Sequence, residues 1–133
     1  LDDLHLAAAE ADGERYFGHF TSDAVFLGTD AGERWSVADF RAYAEPYFSQ
    51  GKGWVYVASA RHVTVSQDGA VAWFDERLWN EKYGETRGTG VLLRDDAGWR
   101  IAQYNLSFPV PNDLAGDLVQ RIRAANAEGN GGE

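Results

Sequence analysis

Apolar and polar positions change period along this chain, and the changes mark out its elements. Leu1, Leu4, His5, Ala8 and Ala11 recur at the three- and four-residue spacing of one helical stripe and predict a first helix to about Asp12. Gly13 stops it. The following segment to Phe20 predicts a short helical turn presenting Tyr16, Phe17 and Phe20 inward. Ala24–Gly28 and Glu33–Trp35 read as two short strands around a Thr-Asp-Ala-Gly turn. Ser36 with Asp39 three residues on resembles an N-cap pair, and Phe40, Tyr43, Tyr47 and Phe48 continue a stripe over a third helix from Val37 to about Ser49, bent near Pro46.

From Trp54 onward the period is two. Residues 54–66 and 70–80 are β-branched and aromatic runs joined by Gln67-Asp68-Gly69, which reads as a three-residue hairpin loop. That loop pairs Val65 with Val71, Val63 with Trp73, Arg61 with Asp75 and His62 with Phe74. A second hairpin joins Thr86–Asp95 to Trp99–Phe108 through Asp96-Ala97-Gly98, placing Thr89 opposite Asn105 and Val91 opposite Gln103. Trp99, directly after the hairpin glycine, is expected to anchor the last strand against the core. Pro109-Val110-Pro111 ends that strand, and a final helix capped by Asn112 or Asp113 carries Leu114, Leu118 and Ile122 on one side. The polar, glycine-rich GNGGE end is expected to be disordered. Helices gathered on one face of a curved antiparallel sheet make this an α+β domain.

At 133 residues the chain fits one domain with a core large enough to enclose a ligand cavity. It has no cysteine, which excludes disulfides, thiolate metal sites and a cysteine nucleophile. Its three histidines are scattered at 5, 19 and 62, a poor basis for a metal cluster, and no metal is expected. A net charge of −9 disfavours nucleic acid and anionic membrane as partners. No apolar run approaches the roughly 20 residues needed to span a bilayer. A cytoplasmic location is expected, although the start at Leu1 is also compatible with a removed signal peptide. Five Trp, six Tyr and seven Phe favour a rigid core or an aromatic-lined pocket.

This element order, with the segments AVFLGTDAGERWS, AWFDERL and RGTGVLLRDDAGWRIAQYNLSFPVPN, resembles the SnoaL-like branch of the nuclear transport factor 2-like superfamily. The resemblance implies a cone-shaped, curved antiparallel sheet wrapped around the N-terminal helices, with a SnoaL-like domain over residues 1–111 and a helix and tail over 112–133. It also implies an apolar pocket and a homodimer built through the outer sheet face. Members include ketosteroid isomerases, polyketide cyclases, dehydratases and epoxide hydrolases, and also domains with no known activity. Where the family strand often carries histidine this chain has Gln103 and Asn105, which argues against histidine-based proton transfer from that strand.

Candidate chemistry begins at Asp75 and Glu76, neighbours on a strand that point to opposite faces. The expected register pairs Asp75 with Arg61 and leaves Glu76 with Phe74, Leu78 and His62. A carboxylate among aromatics has its charged form disfavoured, which raises its pKa toward that of a general base; a hydrogen bond to His62 is the alternative. Asp30, in the turn beside Trp35, and Tyr47, on the third helix, complete the catalytic candidates, against the plainer roles of turn capping and core packing. Arg87, Thr89, Gln103 and Asn105 fall on one face with Val91, Leu93, Trp99 and Ile101, the mixture of either a pocket wall or a dimer surface. His5 and His19 lie on apolar helical stripes, as core residues or proton carriers. His19, Trp35, Trp54, Phe74, Arg87, Thr89, Gln103 and Asn105 form the expected ligand-contacting set.

No nucleophile elbow, phosphate loop or dinucleotide fingerprint is present, so no cofactor is expected. The functional expectation is a pocket for a small apolar molecule, either with acid-base chemistry of the isomerase, dehydratase or hydrolase type or as a noncatalytic binding or dimerisation module.

Overall fold

Three short helices supply most of the apolar material that the sheet encloses. The computed structural model describes residues 1–131. In α1 (Asp2–Ala9) the buried residues are Leu4, Ala7 and Ala8. In α2 (Gly13–Phe17), started by the Asp12 side chain accepting from the Arg15 amide, Tyr16 and Phe17 are buried. After β1 (Phe20–Leu27) and β2 (Arg34–Ser36), the Ser36 hydroxyl accepts from the Asp39 amide at 3.1 Å and starts α3 (Val37–Ser49).

The buried line of α3 runs Phe40, Ala44, Phe48, in steps of four. Tyr43 and Tyr47 therefore fall beside that line, 52% and 46% exposed, rather than on the inner stripe expected for them. Their rings meet each other at 5.7 Å between centroids.

Four long strands follow: β3 (Val57–Val65), β4 (Val71–Asn80), β5 (Gly84–Asp95) and β6 (Gly98–Ser107). The six strands form one curved, unclosed sheet in the order β2-β1-β6-β5-β4-β3. All neighbours are antiparallel except β1 and β6, which run parallel and bring the N-terminal strand beside the last one. The helices pack against one face, where Phe74, Ile101 and Tyr104 of the sheet meet Leu4, Tyr16, Phe17, Phe40 and Phe48. This is the cone-shaped α+β architecture expected of the chain.

The register of the first hairpin differs by one residue from the expected one. Arg61 stands opposite Glu76, His62 opposite Asp75 and Val63 opposite Phe74. The cause is in the loop. Asp68 accepts from the Ser66 hydroxyl and the Ala70 amide, which holds Ala70 in the turn instead of the strand and lengthens the loop to residues 67–70. Such a slip exchanges the faces on which cross-strand partners meet.

In the second hairpin Asp95 pairs with Gly98, so the loop has two residues rather than three. A bulge between Val91 and Leu92 then restores the expected pairs Val91–Gln103 and Thr89–Asn105. The bulge also separates residues expected to share a face. Ile101 is buried inside opposite Leu92, whereas Arg87, Thr89, Gln103 and Asn105 stay on the outer side. Trp99 is 40% exposed at the hairpin end with Arg94 over its ring, so it does not anchor the core.

Along β4 the alternation is complete: Ala72, Phe74, Glu76 and Leu78 are buried while Trp73, Asp75, Arg77 and Trp79 are exposed. The final helix α4 (Asn112–Gly131) leaves Leu114, Leu118 and Ile122 exposed. It includes residues 129–131, expected to be disordered; the last two residues of that expected tail lie outside the described part.

Candidate functional site

Glu76 has no exposed side-chain surface, yet it is surrounded by donors. Strand alternation turns it under the helices, and its two oxygens divide the surrounding groups between them. Oε1 lies 2.7 Å from His5 Nε2 on α1 and accepts from the Tyr104 hydroxyl of β6 at 2.7 Å. Oε2 accepts from Arg61 Nε of β3 at 2.8 Å. Arg61 Nη2 is 2.7 Å from the same oxygen in electrostatic contact, without hydrogen-bond geometry, and Arg61 Nη1 donates to Asp2 at 2.6 Å. Helix α1 and three strands are thereby joined through one buried carboxylate.

The electrostatic consequence reverses the expectation for Glu76. Burial pushes its pKa up, but hydrogen bonds from His5, Tyr104 and Arg61 outweigh it and hold the carboxyl down at about 2. Register is the reason. With Arg61 opposite Glu76 instead of Asp75, the inner carboxylate is the ion-paired one, and His62 stands outside beside Asp75. The Tyr104 phenol is pushed well above its ordinary range, first by burial and then by the adjacent Glu76 charge.

Because a carboxylate can only accept, the His5 contact makes Nε2 the donor; in the neutral ring Nδ1 then carries the free lone pair. The Tyr104 oxygen, its proton given to Glu76, keeps acceptor capacity of its own. His5 and Tyr104 line a cavity of about 30 Å³ with Leu4, Tyr16, Phe26, Trp54, Tyr56, Leu78 and Leu106. A space of that size holds about one water molecule. Phe26, Trp54, Tyr56 and Leu106 also line an adjoining hollow of about 260 Å³, whose rim adds Phe40, Tyr43, Tyr83, Thr29 and Glu33. The site is an aromatic-walled entrance with a hydrogen-bonded polar group at its foot.

Tight packing allows this network to exist. A Cβ on Gly88 would lie 2.1 Å from the Tyr104 oxygen and 3.1 Å from Glu76 Cγ, so only glycine leaves room for the two side chains to meet. Phe74 packs against Tyr104 at 5.7 Å between centroids, and Phe26 stacks on Tyr104 from another side at 5.7 Å.

Of the residues singled out from sequence, His5, Glu76, Phe74 and Trp54 come together at or beside this site. Asp30 caps its own turn, accepting from the Gly32 amide at 2.8 Å. Tyr47 lies on the exposed side of α3. His19 bonds Asp3 at 2.8 Å within a surface ion cluster. Trp35 is half-buried against Phe40 and Tyr43. Arg87 and Thr89 line an outer-face depression with His62, Asp75 and Arg77, and Gln103 and Asn105 share that face. Among the described residues no group of three or more acidic or histidine side chains is arranged to hold a metal, and no helix is long and apolar enough to cross a membrane.

Tyr104, on one strand face with Gly88, Gly90 and Ala102, fits either a pocket wall or a dimer surface from the sequence, and Arg61 was not expected at the site. A signal existed for the first: Gly88 and Gly90 alternate on one face of a strand otherwise rich in side chains, which marks close approach by large neighbours. Arg61 could be placed only by knowing the hairpin loop.

The architecture recurs among solved structures. An NTF2-like protein of unknown function from Pseudomonas putida superposes with a TM-score of 0.67 at 15% identity, over 85% of this chain and 84% of that one. A protein of unknown function from Mycobacterium tuberculosis gives a TM-score of 0.66 at 21% identity, over 85% and 69% of the two chains. A third, from the NTF2-like family of Streptomyces avermitilis and provisionally named a dehydratase, gives 0.66 at 14% identity, over 83% and 91%. At these identities the likeness is one of fold. No curated protein sequence matches the chain. The model of the SnoaL-like domain, however, matches residues 1–111, and over that span, containing all three inner helices and all six strands, the chain belongs to the SnoaL-like family of the NTF2-like superfamily.

Proposed function

We propose that this chain binds a small, largely apolar molecule in the aromatic hollow and handles a proton on it with His5 and Tyr104, Glu76 holding both in place. The observation that carries the reading is the shared oxygen of Glu76, which orients two proton-bearing groups at the foot of an otherwise apolar cavity. In this reading Glu76 is not itself the base. Its pKa near 2 leaves it a weak proton acceptor at neutral pH, suited to orienting His5 and stabilising positive charge on the ring. The His5 Nδ1 lone pair takes a proton from carbon, from a hydroxyl or from a water in the inner cavity. Isomerisation, dehydration and hydrolysis share that step.

The test is α-carbon proton–deuterium exchange of a small cyclic ketone, β-tetralone, followed by NMR in heavy water. Wild-type protein is expected to accelerate exchange over buffer, and His5→Gln to remove the acceleration while NMR shifts still report ketone binding. Binding without accelerated exchange in the wild type overturns the catalytic reading and leaves a noncatalytic binding module. We also propose that the working form is a homodimer joined through the outer sheet face, where Trp73 and Trp79 are 50% and 58% exposed.

A further inference from the structure

The rim of the hollow has a chemistry distinct from its foot. Phe40, Tyr43 and Tyr83 on the rim and Trp54 and Tyr56 on the adjoining wall contribute aromatic groups, and among the described residues the sole charged side chain lining it is the carboxylate of Glu33. Among the described residues no Lys, Arg or His lies within ion-pair distance of Glu33. Its position is nevertheless fixed. Oε1 accepts from the Asp30 amide at 3.0 Å, and the carboxyl is so close to the Gly28 backbone that a Cβ there would sit 2.9 Å from Oε2.

We propose that this rim is a binding site for an organic ammonium group, carried by the ligand or substrate whose apolar body enters the hollow. Aromatic faces attract cations through their quadrupole, and a carboxylate without a cationic partner supplies the countercharge. The molecule already makes one such contact beside the site, with Lys82 Nζ 5.1 Å from the Tyr83 ring centroid. A net charge of −9 raises the local concentration of cations and disfavours the approach of anions.

This inference rests on the pocket reading above but not on its proton chemistry. Choline and its neutral carbon isostere dimethylbutanol, nearly identical in shape, separate the terms when titrated by calorimetry and followed by heteronuclear NMR. Choline is expected to bind about tenfold more tightly at low salt, the ratio that a partly desolvated cation–aromatic site supplies. Glu33→Gln should bring the two within about twofold. Gly28→Ala, which displaces the carboxylate and keeps its charge, should do the same. Equal affinities in the wild type, no binding of either compound, or a choline preference that survives both variants would overturn the ammonium site. Accelerated β-tetralone exchange without choline preference removes this inference alone; choline preference without exchange removes only the proton chemistry.

Discussion

Glu76 is a buried carboxylate kept charged by its neighbours, and that arrangement has a direction in pH. Its folded pKa of about 2 lies below the ordinary 4.5, so the native state gains stability from the ionised group above pH 4.5. That contribution fades as pH falls through the window from 4.5 to 2 and is absent below it. The shift corresponds to roughly 3 kcal/mol. Replacing the group by an amide leaves Arg61 without its buried counterion, and breaking such a pair typically costs about 3–5 kcal/mol. We therefore expect Glu76→Gln to unfold at a markedly lower urea concentration at pH 7, and to lose less additional stability than the wild type between pH 5 and pH 3. Parallel pH profiles for the two proteins would show that Arg61, His5 and Tyr104 do not hold the charge as their distances indicate.

Among the elements, β5 sets how closely the sheet and its buried groups approach. Gly88 faces Tyr104 and Glu76, and the Cβ of Gly88→Ala would overlap the phenol oxygen at 2.1 Å. Overpacking of this kind costs about 1–3 kcal/mol, and the cost here falls on the network itself. Gly88→Ala should lower the denaturant midpoint and abolish the response to β-tetralone; a variant that keeps both would mean that β5 can move away without disturbing the site. The same strand explains how much could be read in advance. The helices, the four long strands and the inward face of β4 were legible because their periods of 3.6 and 2 repeat over whole elements. The bulge at Val91/Leu92 and the extra loop residue Ala70 were not, because each depends on a local choice that leaves the pattern on either side unchanged. One residue of slip moved Arg61 from Asp75 to Glu76, which turned a carboxylate expected to have a raised pKa into one held well below its ordinary value. The parallel pairing of β1 with β6 was equally hidden, since it joins the two ends of the domain and has no local signature.

The molecule as a whole presents two faces of one sheet, one covered by helices and one that leaves Trp73, Asp75, Arg77 and Trp79 of β4 exposed among the described residues. On the outer face His62, Asp75, Thr89 and Asn105 stand in one row across four strands, with Ala60, Arg77, Arg87 and Ser107 in the next. Trp73, Trp79 and Val57 flank these rows, with Val57 58% exposed. Such a surface carries both signs of charge near its centre and apolar side chains around them, so a second copy related by a two-fold axis can set Asp75 against Arg87 or His62 of its mate. An overall charge of −9 on each chain opposes association with anything acidic unless local pairs of this kind compensate. We expect a dimer in sedimentation equilibrium at about 50 micromolar, well above the concentration at which a micromolar contact is half formed. Thr89→Arg, which places a third guanidinium beside Arg77 and Arg87, should give a folded monomer with an unchanged far-ultraviolet spectrum and an intact inner pocket. A wild-type chain that sediments as a monomer under these conditions would remove the second copy as the occupant of the outer face, and the exposed tryptophans would then need a partner of another kind.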